Sequence, residues 1–436
     1  MALSGSLALA LLFSLLSCYA SVPSLASSDG FIQCLSAAIP RQLLYTQSSP
    51  SFTSVLVSSI RNPKFSTPGT VRLLCIVTPT NASHVQAAVV CGRRNDVRIR
   101  VRSGGHDYEG LSYRSARPEV FAVVDLANLR SVRVDQKAAT AWVDSGATLG
   151  ELFYAISQAS KQLAFPAGLC PTIGVGGHLS GGGFGMLLRK YGLAADNVLD
   201  ATLVDANGEL VDKQVMGPDV FWAIRGGGGG GSFGIVLSWQ KQAANFESMY
   251  LGTPDTLLPL MRSRFPELGL NRTHCKEMTW IQSAIPKDVW VKIFAWLGKP
   301  DAGLMIMDPY GGKIGSPPES ATPFPHRGGV LYNIQYMNFW SAATDGSAQT
   351  RWLKDLYAFM GPYVSKNPRE AYANYRDLDL GQNVVVGNVT SYEAGKVWGE
   401  KYYKGNFQRL ATAKSKVDPD DYFRNEQSIP PLPATK

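Results

Sequence analysis

Three glycine clusters constrain this chain of 436 residues more than any other feature. They are Ser103-Gly-Gly-His-Asp-Tyr-Glu-Gly110, Gly174-Val-Gly-Gly-His-Leu-Ser-Gly-Gly-Gly-Phe-Gly185 and the run Gly226 to Gly231. Glycine lets backbone N–H groups come close to phosphates and flat rings, so clusters this dense mark places where main chain meets a ligand. None fits G-x-x-x-x-G-K-[ST], and no G-x-G-x-x-G follows a strand and opens a helix with an acidic residue beyond. P-loop and nicotinamide-binding Rossmann readings are therefore set aside. Two of the clusters enclose a histidine, and the second closely follows the cysteine in Phe165-Pro-Ala-Gly-Leu-Cys-Pro171. That combination is much more specific than a bare glycine turn.

Around the clusters the periodicity is mixed. FIQCLSAAI from Phe31 has helical apolar spacing, LLCIVTPT reads as a short buried strand ended by Pro79, and ASHVQAAVVCGRR reads as a helix. VRIRVR alternates, which puts Arg98, Arg100 and Arg102 on one strand face. They could neutralise a diphosphate, with a solvated strand face expected for at least two of them. Strands follow at FAVVD, VRV and TAWV, and Thr148-Leu-Gly-Glu151 has the form of a capping box opening the helix GELFYAISQAS. VLDATLV, a turn at Asn207-Gly208, the helix PDVFWAIR and the strand FGIVLSW complete a nucleotide-binding pattern near residue 243. A region rich in Trp, Met and Tyr begins at about 244, and the final segment is polar and studded with aromatic residues. The expected division is a leader at 1–20, a helical segment at 21–67, a cofactor domain at 68–243, a substrate domain at 244–390 and a C-terminal segment at 391–436.

A hydrophobic content of 45% against 17% charged residues supplies ordinary cores for two or three domains. The apolar run Leu7 to Leu16 followed by small residues near Ala20 reads as a secretory signal, since it is shorter than the roughly 20 residues a spanning helix needs. No later stretch qualifies as a span, so secretion to the extracellular space or cell wall is expected, with the vacuole as the other destination. The sequons at Asn81, Asn271 and Asn388 fit a secreted glycoprotein. The formal charge of +8 serves solubility first and allows at most weak attraction to an acidic wall polysaccharide. No nucleic-acid-binding pattern accompanies it. Cysteines stand at 18, 34, 75, 91, 170 and 275; with Cys18 removed an odd number remains, so at least one is outside any intramolecular disulfide. No CxxC spacing points to a metal site.

SGGHDYEGLSY, FPAGLCPTIGVGGHLSGGGFG, KYGLAADN, FWAIRGGGG, NYRDLDLG and the tail WGEKYYKGNFQRL…FRNEQSIPP together resemble the berberine bridge enzyme-like FAD-linked oxidases of plants, over nearly the whole mature chain. The resemblance implies an α+β plan. A two-part PCMH-type FAD-binding domain is joined to a substrate domain with an antiparallel sheet covered by helices, and the tail returns to the FAD domain. It implies FAD held on two covalent bonds, from His106 to the 8α-methyl group and from Cys170 to ring position C6, which would leave a wide substrate cleft and raise the flavin potential. It further implies a Cys34–Cys91 disulfide, with Cys75 and Cys275 free. Ser103, Gly104 and Gly105 would form a diphosphate loop, with Tyr108, Gly174 and Gly177 also at the cofactor, and His178 would support negative charge near flavin N1 and C2=O.

For catalysis the resemblance implies that Tyr375 removes a hydroxyl proton with Tyr191 beside it. An ordinary tyrosine pKa near ~10 needs help from a cation or donor. Asn333 stands where many relatives place a lysine and offers no charge. Gln335 stands where alkaloid-processing relatives use a carboxylate base; an amide takes no proton, so a hydroxyl substrate is expected in place of ring closure. Ile173 occupies the position that gates oxygen, and its bulk is expected to slow reoxidation. After Val236-Leu-Ser-Trp-Gln the chain moves quickly to FESMYLGTPDTLLPLM, and after MTWIQS it goes straight to AIPKDVW, so the substrate region looks short for the family. The expectation is an enzyme oxidising an alcohol group of a phenolic, a sugar or a similar metabolite, reoxidised by O2 or another acceptor. The alternative is a secreted flavin-containing protein that has lost turnover.

Overall fold

The computed structural model describes residues 28–66, 73–160, 162–242, 244–245, 253–264, 266, 271–272, 285–341 and 345–433. The expected leader, Cys18, Cys275 and most of the segment where the substrate region is expected to be short lie outside them.

Strands β1 (Leu44–Thr46), β2 (Cys75–Val77), β3 (Arg98–Arg102) and β4 (Phe121–Asp125) form a sheet of order β1-β2-β4-β3, parallel except for β1. Strand alternation sorts the side chains. Cys75, Val77, Ala122 and Val124 pack against helices α1 (Ser28–Ala38) and α2 (Ala82–Arg94), whereas Ile76, Phe121 and Val123 face Leu56, Phe65 and Tyr113. Asn81 caps α2 by accepting from the His84 N–H. The expected Cys34–Cys91 disulfide is present and ties α1 to α2.

The three arginines of β3 correct the sequence reading. All are buried, so none forms a solvated face, and their partners are protein groups. Arg102 bonds Asp125 and the carbonyls of Val55 and Leu56, Arg100 pairs with Glu426 at 3.2 Å, and Arg98 donates to the carbonyls of Asp421 and Tyr422. Periodicity placed them on one face correctly; it could not show that residues more than 300 positions later would cover that face.

The second sheet, order β5-β6-β9-β7-β8, is antiparallel throughout: β5 (Val132–Asp135), β6 (Thr140–Asp144), β7 (Val198–Val204), β8 (Leu210–Val211) and β9 (Ile235–Gln242). Central β9 joins the two halves: Ile235 and Leu237 enter the first core, and Val236 and Trp239 enter the second. Helix α3 (Leu149–Ala159) opens on the expected Thr148/Glu151 capping box. Helices α4 (Val175–Ser180) and α5 (Lys213–Ile224) contribute to the same core, and α5 bends at Gly217 ahead of Pro218.

The region after residue 244 is built on an antiparallel ladder of β10 (Leu304–Pro309) and β11 (Tyr332–Met337). Met305, Met307, Tyr332, Ile334 and Tyr336 pack on helices α6 (Lys287–Leu297) and α7 (Ser347–Met360), leaving Asp308, Asn333 and Gln335 on the opposite face. The chain then returns. Helices α8 (Tyr392–Tyr403) and α9 (Asn406–Val417) join the second core, and Lys414, with no exposed surface, bonds Asp418 and the carbonyls of Ser232 and Phe423. The α+β plan is thus the one expected, with the helix-covered antiparallel sheet reduced to two strands among the described residues. No helix among those residues is long and apolar enough to cross a membrane.

Candidate active site

The first two glycine clusters meet back to back. A Cβ on Gly104 would lie 2.3 Å from the Gly174 nitrogen, and one on Gly105, at φ +67°, would lie 2.0 Å from the Ser59 carbonyl oxygen. Only glycine fits this approach. It brings His106 to the cysteine loop, where a ring nitrogen lies 3.0 Å from Thr172 Oγ1, two residues past Cys170. Cys170 is exposed and free of any disulfide, while Cys75 is free but buried. Burial and the charge of Arg61 lower the His106 pKa, so the ring is neutral and keeps a lone pair. A neutral imidazole and an open thiol on touching loops are the donor set that a doubly attached flavin needs. Gly177, where an added Cβ would meet nothing within 4 Å, leaves the adjoining surface open. These residues fit FAD.

Beside this loop pair lies a cavity of about 1510 Å³ lined by His106, Tyr108, Asn333, Gln335 and Tyr375, among others. Tyr108, expected at the cofactor, faces this cavity, stacks on Tyr375 at 5.9 Å and accepts a hydrogen bond from Gln335 Nε2. Burial first, then the nearby Cys170 sulfur, pushes Tyr108 up to about 12. Gln335 is therefore a donor that orients a neutral phenol. The Tyr375 hydroxyl donates to Asp308 Oδ2 at 3.5 Å. Burial, Asp308 and the neighbouring tyrosines drive the Tyr375 pKa far above its ordinary value, so a free phenolate is out of reach. Asp308 is itself raised by burial, countered by Tyr375 and Asn333. The Asn333 amide nitrogen lies close enough for that effect yet makes no hydrogen bond of regular geometry. Asp308 does not replace the missing cation; it offers a different chemistry, a half-buried carboxylate able to receive the tyrosine's proton.

The segment carrying Tyr375 is pinned at several points. Tyr372 Oη accepts from the Gly183 N–H, and Arg376 pairs with Asp107 at 2.9 Å, next to His106. Tyr191 ends a short helix outside the cavity lining. His178 is buried; its Nε2 accepts from the Gly168 N–H, and burial together with Lys241 lowers its pKa to about 3. Lys241 is fully enclosed over the Phe165 ring. Ile173 is partly buried against the second core, its carbonyl bonded by the Leu149 N–H. Asn81, Asn271 and Asn388 are all exposed, although Asn388 Oδ1 accepts from Arg98. Sequence reasoning missed Asp308, Lys241 and the Asp107–Arg376 pair. The alternation of LMIMDP was visible as a strand signal, but the register that aligns Asp308 with Asn333 was not.

Comparison with known proteins supports the same picture. The family description "FAD binding domain" matches residues 73–213, and "Berberine and berberine like" matches 371–430. The berberine bridge enzyme-like protein Cyn d 4 of Cynodon dactylon is 56% identical over 485 residues, covering 92% of this chain and 93% of that protein. Because 485 exceeds the 436 residues here, the relative carries segments without a counterpart in this chain. Among solved structures, wild-type Phl p 4.0202, described as a glucose dehydrogenase, superposes with a TM-score of 0.84 at 55% identity, over 92% of this chain and 99% of that one. A Phl p 4 variant with isoleucine replaced by valine, described as a glucose oxidase, matches at TM-score 0.84 and 54% identity over 92% and 99% of the two chains. Two matching cofactor and C-terminal regions, high identity along nearly the whole chain and a shared fold lead to one conclusion: the chain belongs to the berberine bridge enzyme-like family of plant FAD-binding oxidoreductases.

Proposed function

We propose that this protein oxidises a hydroxyl group of a small sugar, of which glucose is the first candidate, with a tyrosine–aspartate pair receiving the proton. The observation that carries the reading is the Tyr375 hydroxyl aimed at Asp308 in a cavity that also holds His106. The naming of Phl p 4 as a glucose dehydrogenase at 55% identity favours a sugar over a phenolic alcohol. FAD, when bound through His106 and Cys170, supplies the acceptor for the substrate's hydride. Ser103, Gly104, Gly105, Gly174 and Gly177 would lie along the cofactor, and His178, neutral in its buried site, would support negative charge near N1 and C2=O. Tyr108 and Gln335 hold the hydroxyl's neighbours in place. Tyr375 takes the hydroxyl proton as it gives its own to Asp308, so neither a phenolate nor a cation is required.

Ile173 is proposed to restrict oxygen, making the protein a dehydrogenase that uses another acceptor. The contrast between wild-type Phl p 4, described as a glucose dehydrogenase, and its isoleucine-to-valine variant, described as a glucose oxidase, supports this. Residues 68–243 would form the FAD domain, 244–390 a shortened substrate domain, and 391–436 the returning tail. The protein would be a secreted glycoprotein modified at Asn81, Asn271 and Asn388, with weak affinity for acidic wall polysaccharide. The alternative of a flavin protein without turnover is favoured only by the shortness of the chain against its relatives. Mixing the purified yellow protein without oxygen against aldoses and phenolic alcohols, with an artificial acceptor, separates the readings. Turnover with aldoses supports the proposal, turnover with phenolics alone moves the substrate class, and no turnover with either selects the alternative.

A further inference from the structure

We propose that His326 is a positioning residue, held as the imidazolium, that fastens the segment carrying Tyr375; this rests on the reading of Tyr375 as the group that receives the substrate's proton. His326 is only 6% exposed. Its Nδ1 lies 2.8 Å from Glu370 Oε2 and its Nε2 lies 3.1 Å from the carbonyl oxygen of Tyr402. Both partners are pure acceptors, and a neutral imidazole can donate only once. Protonation of both nitrogens is the one state that satisfies both contacts. A neutral ring would set a lone pair against an oxygen lone pair in a buried site, which is costly.

The surrounding charges are mixed: the Glu370 carboxylate favours the imidazolium, and the Lys404 and Arg327 cations nearby oppose it. Glu370 also accepts from Lys404 at 3.0 Å, and Lys404 is shared with Glu319 at 2.9 Å. Arg327, next in the chain, is turned away onto both oxygens of Asp196. The Phe324 ring packs edge-on to His326 at 5.1 Å. Among the described residues Glu370 is thus the one carboxylate bonded to the imidazolium, and it begins the segment that matters. The Ala371 N–H donates to the Lys401 carbonyl, and Arg376 closes the other end on Asp107. Tyr375 hangs between these two anchors, so its approach to Asp308 depends on both. His106 and Cys170 lie on other loops, which leaves flavin attachment independent of His326.

Deprotonating His326 removes a charge-assisted bond at the Glu370 anchor. Loss of that proton is expected to lower turnover by about tenfold, on the usual scale of such a bond. The test uses the intact flavoprotein and two variants, His326→Gln and Glu370→Gln, in oxygen-free reduction by D-glucose across roughly pH 5 to 9. It is paired with imidazole ¹⁵N–¹H spectra. The expected spectrum shows, at the acid end, one ring with both nitrogens protonated that is missing from His326→Gln. The expected rates are an alkaline fall in the unmodified protein, a uniformly slow His326→Gln with unchanged flavin content, and a fall displaced to lower pH in Glu370→Gln. A singly protonated His326 at the acid end, or an alkaline fall surviving in His326→Gln, overturns the proposal. If glucose reduces none of the proteins, the functional reading fails, and the spectra still decide the state of His326.

Discussion

Replacing Asp308 by asparagine keeps the volume and the polar surface of β10 while removing the ability to take a proton, so it isolates one step. Among the described residues the charges acting most on the Tyr375 phenol are those of Asp308, Tyr372, Tyr108 and Tyr310, all of which raise its pKa, and none is a cation that could stabilise a phenolate. The proton arriving from substrate must therefore be passed on, and Asp308 is the acceptor in reach at 3.5 Å. Losing a positioned base costs about 10²–10⁴ in rate, or roughly 3–5 kcal/mol of barrier. A reduction rate lowered at least ~10²-fold is expected for Asp308→Asn. The pH dependence gives a second signature. Burial raises the Asp308 pKa, the carboxylate must be ionised to accept, and so activity is lost as pH falls through that raised value. The asparagine variant should lack this acid limb. Stopped-flow reduction of the flavin by glucose without oxygen, followed against pH, reads both. A variant within roughly threefold of the unmodified rate, acid limb intact, would refute the relay.

Three further outcomes follow from the same geometry. Flavin should remain attached after acid precipitation and be released completely only from the His106→Ala, Cys170→Ala double variant; complete release from the unmodified protein excludes covalent attachment. Ile173→Val should speed reoxidation of the photoreduced protein in aerated buffer, and an unchanged rate would remove Ile173 from oxygen control. Asp418→Ala should cost about 3–5 kcal/mol in urea unfolding, because it strips a direct partner from a fully buried Lys414. Burial raises the Asp418 carboxyl but Lys414 and two backbone N–H groups outweigh it, so its folded pKa is depressed. Its contribution is then present above the ordinary carboxylate range and lost as pH falls below it. A variant as stable as the parent at neutral pH would contradict this.

Much of the cofactor half was legible in the sequence because its signals are local. The capping box at Thr148 and Glu151, the turn at Asn207-Gly208 and the histidine-bearing glycine loops each need only neighbouring residues to be read. The arginines of β3 show the limit. Their alternation was visible, but burial depends on a tail that returns from the far end of the chain to bring Asp421, Tyr422 and Glu426 over them. Asp308 was illegible for a related reason: a carboxylate in LMIMDP acquires meaning only when ladder register sets it opposite Asn333 and the 370–377 segment folds over it. His326 likewise has no motif, and its role emerges from two acceptors contributed by separate elements.

The most direct test is a single oxygen-free mixing of the purified yellow protein with D-glucose and with glucose deuterated at C1. Hydride transfer from a hydroxyl-bearing carbon, with the proton leaving through Tyr375 and Asp308, predicts that glucose bleaches the flavin, that deuterium slows the bleaching severalfold, and that Tyr375→Phe slows it ~10²-fold or more. Bleaching at the same rate with both sugars and unaffected by Tyr375→Phe, or no bleaching at any glucose concentration, would contradict it.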